Sequence, residues 1–372
     1  MSAPEVDYRE VLDSGAMETW LGHLGGAAVV GVDTEFERTR TFFPRPALVQ
    51  LSDGQQELLI DPLAFDPRPG LVQLWRSSGV KVLHSCSEDL DVFRCLTGEV
   101  PQPLFDTQLA AAFSGYGFSL GYQKLLAAAL GVDIPKDETR SDWLARPLSA
   151  AQKRYAALDV RYLVPLYEHL QERLEARGHK AWFNEEMAIQ LADAEAGQNP
   201  QARYQMVRGA AQLGAPGRRV LRRLAEWREL QARERDVPRG FVLKDPVLMA
   251  IAQARPKNLA ELAGLQELGG GEVRRFGATL LELVSAAQEE TSAEPAPVSG
   301  GLLPPSLRSK VKQFKSAVAA CAQALDIPQE LLARSKEINA LVAHRELGEG
   351  EMPPRLATGW RKSALESVLP LD

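Results

Sequence analysis

Four short apolar runs early in the chain, set against helical periodicity from about Pro147 onward, most constrain what it can fold into. Ala27 to Thr34, Ala47 to Ser52 and Gln56 to Asp61 are β-rich and separated by Pro and Gly, which predicts consecutive strands of one sheet. Val80 to His84 is a further apolar run. Ser85, Ser87 and Glu88 follow it, then apolar Leu90, Val92 and Phe93, so a strand is expected to pass into a helix. Ser149 is a candidate cap for a long helix running towards Arg177. An α/β domain is therefore expected first, with helices alone after it.

Of 372 residues, 45% are hydrophobic and 25% charged, a globular composition with room for more than one domain. Asp193 to Pro200 is small and polar, and Gln288 to Gly301 is rich in Glu, Pro, Ser, Ala and Gly. These shifts divide the chain into 1–195, 210–290 and 300–372, the last two read as small helical bundles. Cys86, Cys95 and Cys321 are too scattered for a disulfide framework, and no paired Cys/His spacing suggests zinc. Met1 to Asp7 carries acids where a secretory leader would be basic, and no apolar run approaches the ~18 residues of a membrane span. The expectation is a soluble cytoplasmic protein without a membrane partner. The formal charge of -6 does not exclude nucleic acid, because carboxylates clustered to hold metal would themselves make one region acidic.

Three groups of acids carry chemistry. In Val29-Val30-Gly31-Val32-Asp33-Thr34-Glu35, Asp33 and Glu35 are alternate residues of a strand and project from one face. Like charges so close are costly unless a cation offsets them, and oxygen-only ligands suit hard Mg²⁺ or Mn²⁺. Asp89 falls in the first turn of the helix after the Val80 strand, where an acid also complements the helix dipole. Tyr155 and Asp159 are four residues apart on the later helix, hence stacked on one face. Taken singly, each has an ordinary alternative: a solvated strand edge, a helix-start acid, a core tyrosine with an aspartate at its rim.

Taken together, the order of Asp-x-Glu on a strand, Asp at a helix start and Tyr-x-x-x-Asp on a later helix resembles DEDD-type 3′–5′ exonucleases of the ribonuclease H-like fold. Flanking pieces resemble the ribonuclease D family: Ala47-Leu48-Val49-Gln50-Leu51-Ser52, His84 before Ser87-Glu88-Asp89-Leu90, Phe105-Asp106-Thr107, and Ser141-Asp142-Trp143-Leu144-Ala145-Arg146-Pro147-Leu148. The resemblance spans roughly residues 8 to 175. Arg154 occupies the position where the related histidine subclass carries its base, and Tyr155 stands one residue later, so the tyrosine subclass is implied.

The resemblance implies that Asp33, Glu35, Asp89 and Asp159 ligate two divalent cations, Mg²⁺ or Mn²⁺. These would activate water for in-line attack and offset charge on the leaving 3′ oxygen, releasing nucleoside 5′-monophosphates. Tyr155 would orient the water. Gln50, Lys136, Arg140 and Arg146 are candidates for contacting phosphate or the terminal nucleotide, by charge and motif proximity. Trp143 offers either a stacking ring or a core anchor, and His84 is expected to be structural.

Beyond the nuclease piece, Val220 to Ala287 resembles an HRDC domain, a helical module shared by ribonuclease D and RecQ-type helicases, with Val242 and Asp245 in step. No Gly-x-x-x-x-Gly-Lys-Ser/Thr loop accompanies it, which argues against a helicase. The last piece, with Ile327-Pro328-Gln329-Glu330-Leu331-Leu332 and Gly359-Trp360-Arg361, resembles the second HRDC-like module of the same family. Arg218, Arg219, Arg222, Arg223 and Arg228, then Arg308, Lys310, Lys312 and Lys315, give both modules a basic first helix, which suggests RNA backbone contact. The implied activity is that of a monomeric exoribonuclease acting on RNA, with transfer-RNA precursors bearing a single-stranded 3′ end as substrates. A DNA exonuclease of the same fold and a non-catalytic nucleic-acid adaptor are the alternatives.

Overall fold

The structure is a computed structural model and describes residues 6–24, 26, 28–135, 141–290, 295, 303–348, 350–369 and 371. Residues up to Leu191, with Asp326–Leu331, form one compact unit. Ala192–Leu325 and Leu332 onward form the other.

The first unit runs β1 (Tyr8–Val11), α1 (Ser14–Leu24), β2 (Val29–Glu37), β3 (Arg45–Ser52), β4 (Glu57–Ile60), α2 (Arg68–Trp75), β5 (Val80–Leu83) and α3 (Ser87–Thr97). It continues through β6 (Leu104–Asp106), α4 (Thr107–Phe113), α5 (Tyr122–Leu130), α6 (Ala150–Arg161), α7 (Leu163–Ala176) and α8 (Lys180–Ala196). The six strands lie in the order β1-β4-β3-β2-β5-β6. The β2–β3 and β3–β4 pairs are antiparallel and the others parallel, so the sheet is mixed.

α6 packs on β2, β3 and β4, and α7 on β2 and β5. Gly31 makes this approach possible. A Cβ there would lie 2.8 Å from Leu163 Cβ and 3.1 Å from the Val160 carbonyl oxygen, so any larger residue would push the α6–α7 junction off the sheet. Gly31 shares a face with Asp33 two residues on. That close contact therefore sets how near α6 comes to the acids. Leu48 and Leu59 of the sheet and Ala156, Ala157 and Leu158 of α6 form the apolar seam beneath, together with Trp143. Each fully buried leucine there contributes roughly 1.5–3 kcal/mol.

Two local features differ from the sequence expectation. The helix from Ser149 is not continuous to Arg177. Ser149 does cap α6, in a reciprocal box with Gln152, but the chain leaves helical geometry at Tyr162 (φ -101°, ψ 5°). Pro165 explains the break: it has no N–H to donate back to Arg161, and its ring excludes a continuous helix, so it sits in the first turn of a new one. The sheet also includes two strands that the apolar runs do not reveal, β1 and the three-residue β6.

The second unit is helical apart from its connections. Its elements are α9 (Ala215–Glu234), α10 (Arg239–Val242), α11 (Asp245–Ala254), α12 (Leu259–Ala263), α13 (Gly270–Glu289), α14 (Arg308–Ala324), α15 (Gln329–Leu332), α16 (Ser335–Leu347), α17 (Pro354–Ala357) and α18 (Gly359–Leu365), of which α15 overlaps the segment grouped with the first unit. Much of the basic stripe on α9 is engaged within its own bundle. Arg222 and Arg223 pair with Glu290, Arg228 with Asp245 and the Leu243 carbonyl, and Arg218 with the Leu213 carbonyl. No helix among the described residues is long and apolar enough to cross a membrane.

Candidate active site

β2 carries Asp33 and Glu35 on the face that α6 covers, and α6 brings Asp159 down onto them. Carboxylate oxygens of Asp33, Glu35 and Asp159 all lie within 4.8 Å of one another. All three residues remain partly exposed, so the cluster has one open side. Tyr155, one turn before Asp159, hydrogen-bonds its carboxylate. Its ring stands 6.0 Å from that of Trp143, which is buried in the core. A pocket lined by Pro135, Ala151, Arg154, Tyr155 and Leu158 opens beside it.

Asp89 arrives differently. Thr34 sits between the two strand acids and so points to the other face, where its hydroxyl donates to Asp89 Oδ1 at the start of α3. Asp89 is close enough for its charge to act on Asp33 and Glu35, yet it stands outside the set of three that converge. The loop that begins α3 is itself held by a residue that the sequence offered only as part of the Phe105-Asp106-Thr107 resemblance, with no role. Asp106 accepts from the backbone N–H groups of Ser85 and Cys86 at 3.0 Å each, and also caps α4 through Gln108 and Leu109. An aspartate before Thr107 at a helix start is a legible N-cap signal. His84 is structural, its Nδ1 2.9 Å from the Thr107 hydroxyl.

Burial pushes the site acids upward, and for Asp33 and Glu35 mutual repulsion adds to it. Asp33 is raised well above the usual carboxylate range by burial and by the charges of Asp89, Asp159 and Glu35. Glu35 is pushed up to about 9 by burial and by Asp159 and Asp89. Asp159 and Asp89 reach about 7, burial outweighing the hydrogen bonds from Tyr155 and Thr34. The Tyr155 phenol is also raised, by burial and the neighbouring carboxylates. Tyr122 of α5 is raised by burial and then by Asp159 and Asp33. Among the described residues, no Lys or Arg forms an ion pair with any of the four acids. Oxygen-only donors, converging and lacking a cation of their own, fit a hard divalent metal.

The expected substrate contacts fare less uniformly. Arg146 lies at the surface but turns its guanidinium to partners within the chain. Its Nε and Nη2 bind both carboxylate oxygens of Asp61 at 2.6 and 2.9 Å, and its Nη groups also donate to the carbonyls of Ala47, Trp143 and Ala145. All five donors are engaged, which makes it a tether between the 141–147 loop and the sheet rather than a phosphate ligand. Gln50 is fully buried (0% exposed) and cannot touch a nucleotide. Lys136 and Arg140 lie outside the described residues.

A mixed sheet with this acid set and a Tyr-x-x-x-Asp helix defines a DEDD-type 3′–5′ exonuclease, and residues 8–175 match the family model for a 3′-5′ exonuclease. Residues 217–284 match the HRDC domain, and 305–369 the C-terminal HRDC domain of ribonuclease D. Ribonuclease D of Pseudomonas paraeruginosa is 39% identical over 371 residues, covering 99% of this chain and 98% of that one. Ribonuclease D of Escherichia coli is 36% identical over 98% of both. The crystal structure of the latter, described as an exoribonuclease involved in structured RNA processing, superposes with a TM-score of 0.84 over 97% of both chains. The chain belongs to the ribonuclease D family and is a 3′–5′ exoribonuclease.

Proposed function

We propose that this enzyme trims the single-stranded 3′ ends of transfer-RNA precursors and other stable RNAs, releasing nucleoside 5′-monophosphates. The observation that carries the reading is the convergence of Asp33, Glu35 and Asp159 with no counter-cation among the described residues. These three residues, with Asp89, would hold two divalent cations, Mg²⁺ or Mn²⁺. Cations held there supply Lewis acidity to the attacking water and to the phosphoryl oxygens.

The protein's own groups do the rest. Asp33 and Glu35, fixed by the strand, and Asp159, fixed by α6, set where the charge of the scissile phosphate can be met. Tyr155, a phenol and so neutral near pH 7, donates to Asp159 and serves first to orient that carboxylate and the attacking water. Thr34 holds Asp89 at the edge of the site, leaving its second oxygen available.

Residues 1–195, 210–290 and 300–372 act on this reading as nuclease, first HRDC and second HRDC-like module. Because four of the α9 arginines are engaged internally, the exposed Arg308 and Lys312 of α14 are the better candidates for RNA backbone contact. Cys86, Cys95 and Cys321, none of them in a disulfide, suit a reducing cytoplasm, and we take the working form to be a monomer.

The test is hydrolysis of 5′-labelled RNA and DNA oligomers with Mg²⁺, Mn²⁺ or EDTA. Stepwise shortening of RNA from the 3′ end with release of 5′-monophosphates, abolished by EDTA, is expected. Preferred hydrolysis of DNA, or cleavage that survives EDTA, would overturn the reading.

A further inference from the structure

Gln50 remains without a role. It lies on β3 directly opposite Asp33 in the antiparallel pair with β2. Opposed residues of such a pair share a face, with Cβ atoms about 4.5–5.5 Å apart, so the Gln50 and Asp33 side chains leave the sheet side by side. It is 0% exposed, and neither its amide nitrogen nor its amide oxygen has a hydrogen-bond partner. Apolar side chains flank it on one side. Leu59 is its partner on β4, Leu48 is the next residue of β3 on the same face, and both belong to the apolar seam under α6.

A buried primary amide with both ends unpaired destabilises a fold, and a methionine of similar length would fill the space without that cost. The charged group that the strand register sets opposite Gln50 is Asp33. Carboxylates that ligate metals are in turn hydrogen-bonded by groups that fix which oxygen faces the ion.

We infer that Gln50 is a positioning residue of the cation site, its amide N–H donating to Asp33 when that carboxylate binds the metal. This rests on the reading of Asp33 as a metal ligand. It replaces the role of substrate contact, which burial removes. The unpaired amide is a donor kept in place for the loaded site, and its cost is borne while the site is metal-free.

The experiment compares the full-length protein with Gln50→Met and Gln50→Asn, reading Mn²⁺ binding by calorimetry, KM for an RNA oligomer at saturating Mn²⁺, and metal-free melting. Gln50→Met should weaken Mn²⁺ binding about ten-fold, leave KM unchanged, and leave the metal-free melting temperature unchanged or higher. Gln50→Asn keeps the amide one methylene further back and should fall between, which keeps the idea testable if the methionine variant folds poorly. Unchanged Mn²⁺ affinity with a lower melting temperature would reduce Gln50 to packing. Raised KM with unchanged Mn²⁺ affinity would make it a substrate contact. Either result overturns the inference alone, whereas a wild-type protein that binds no Mn²⁺ would sink the metal site itself.

Discussion

Of the places where this molecule encloses carboxylates, two solve the same electrostatic problem in opposite ways. In the helical unit, the side chain of Glu229 on α9 is 1% exposed and is met by Arg203 at 3.5 Å, Arg233 at 3.0 Å and Arg239 at 2.5 Å. Burial would raise its pKa, but hydrogen bonds and charge from Arg239, with Arg203 and Arg233, outweigh burial and hold it below the usual value. In the sheet unit, Asp33, Glu35 and Asp159 crowd together with no such cation among the described residues, and their pKa values rise. A carboxylate whose counter-ion is covalently part of the chain is a structural joint. A cluster without one is a binding site whose charge balance comes from outside.

The largest test of that contrast exchanges activity for stability. Asp33→Ala or Asp159→Ala should lose on the order of a thousand-fold or more in kcat/KM at saturating Mg²⁺, about 4 kcal/mol of transition-state stabilisation. Metal-free melting should stay the same or rise, because one repelling charge has gone. Near-full activity in either variant would break the assignment.

Glu229→Ala should do the reverse. It leaves three arginines facing one another. Breaking a buried ion pair costs about 3–5 kcal/mol, and because these arginines are 20–33% exposed, roughly 2–3 kcal/mol is expected. Urea unfolding would read the loss, while kcat on a short RNA oligomer should not move. A collapse in that kcat with unchanged stability would erase the distinction between the two regions.

The same contrast explains what was legible in the sequence. Asp33 and Glu35, then Tyr155 and Asp159, stand out because a period of two and a spacing of four fix their shared faces locally. That the strand and the helix meet depends on Gly31 and on Leu163 far along the chain, and only the family resemblance supplies it from sequence. Compensated charges mislead. Arg146 and the α9 arginines look like phosphate ligands until their partners Asp61, Glu290 and Asp245 are seen, and those lie up to 85 residues away. Thr34 and Asp106 have no role legible in the sequence because each acts by holding something else. The break at Tyr162 was there to be read in Pro165.

A smaller effect separates the regions by pH. Acids whose folded pKa is raised bind more protons folded than unfolded, so stability falls as pH rises through that window. For the metal-free site the window extends from the ordinary carboxylate range to about 7 for Asp89 and Asp159 and about 9 for Glu35. Allowing for solvent screening at the open side, about 2 kcal/mol, or roughly 5 °C in melting temperature, should be lost in EDTA between pH 5.5 and 8.5. Mg²⁺ should flatten that slope by favouring the ionised acids. Glu229 has the opposite sign: its contribution is present above the unfolded value near 4.5 and is lost as pH falls through its lower folded value. An EDTA melting curve that rises with pH across the window would contradict the uncompensated cluster.

Tyr155→Phe tests the mildest version of the comparison, because it removes a neutral donor where Glu229 has charged ones. The ring contact with Trp143 survives, and the hydroxyl's hydrogen bond to Asp159 is lost. A neutral donor is worth less than a guanidinium, and with the phenol proposed to orient rather than to take the proton, about a ten-fold fall in kcat is expected, near 1.4 kcal/mol. That hydrogen bond lowers the Asp159 pKa, so its loss should also move the acidic limb of the pH–rate profile to higher pH, measurable at fixed Mg²⁺. A loss as deep as that of Asp159→Ala with an unmoved acidic limb would mean that the phenol transfers a proton. The division between the acids as ligands and Tyr155 as their orienting donor would then have to be redrawn.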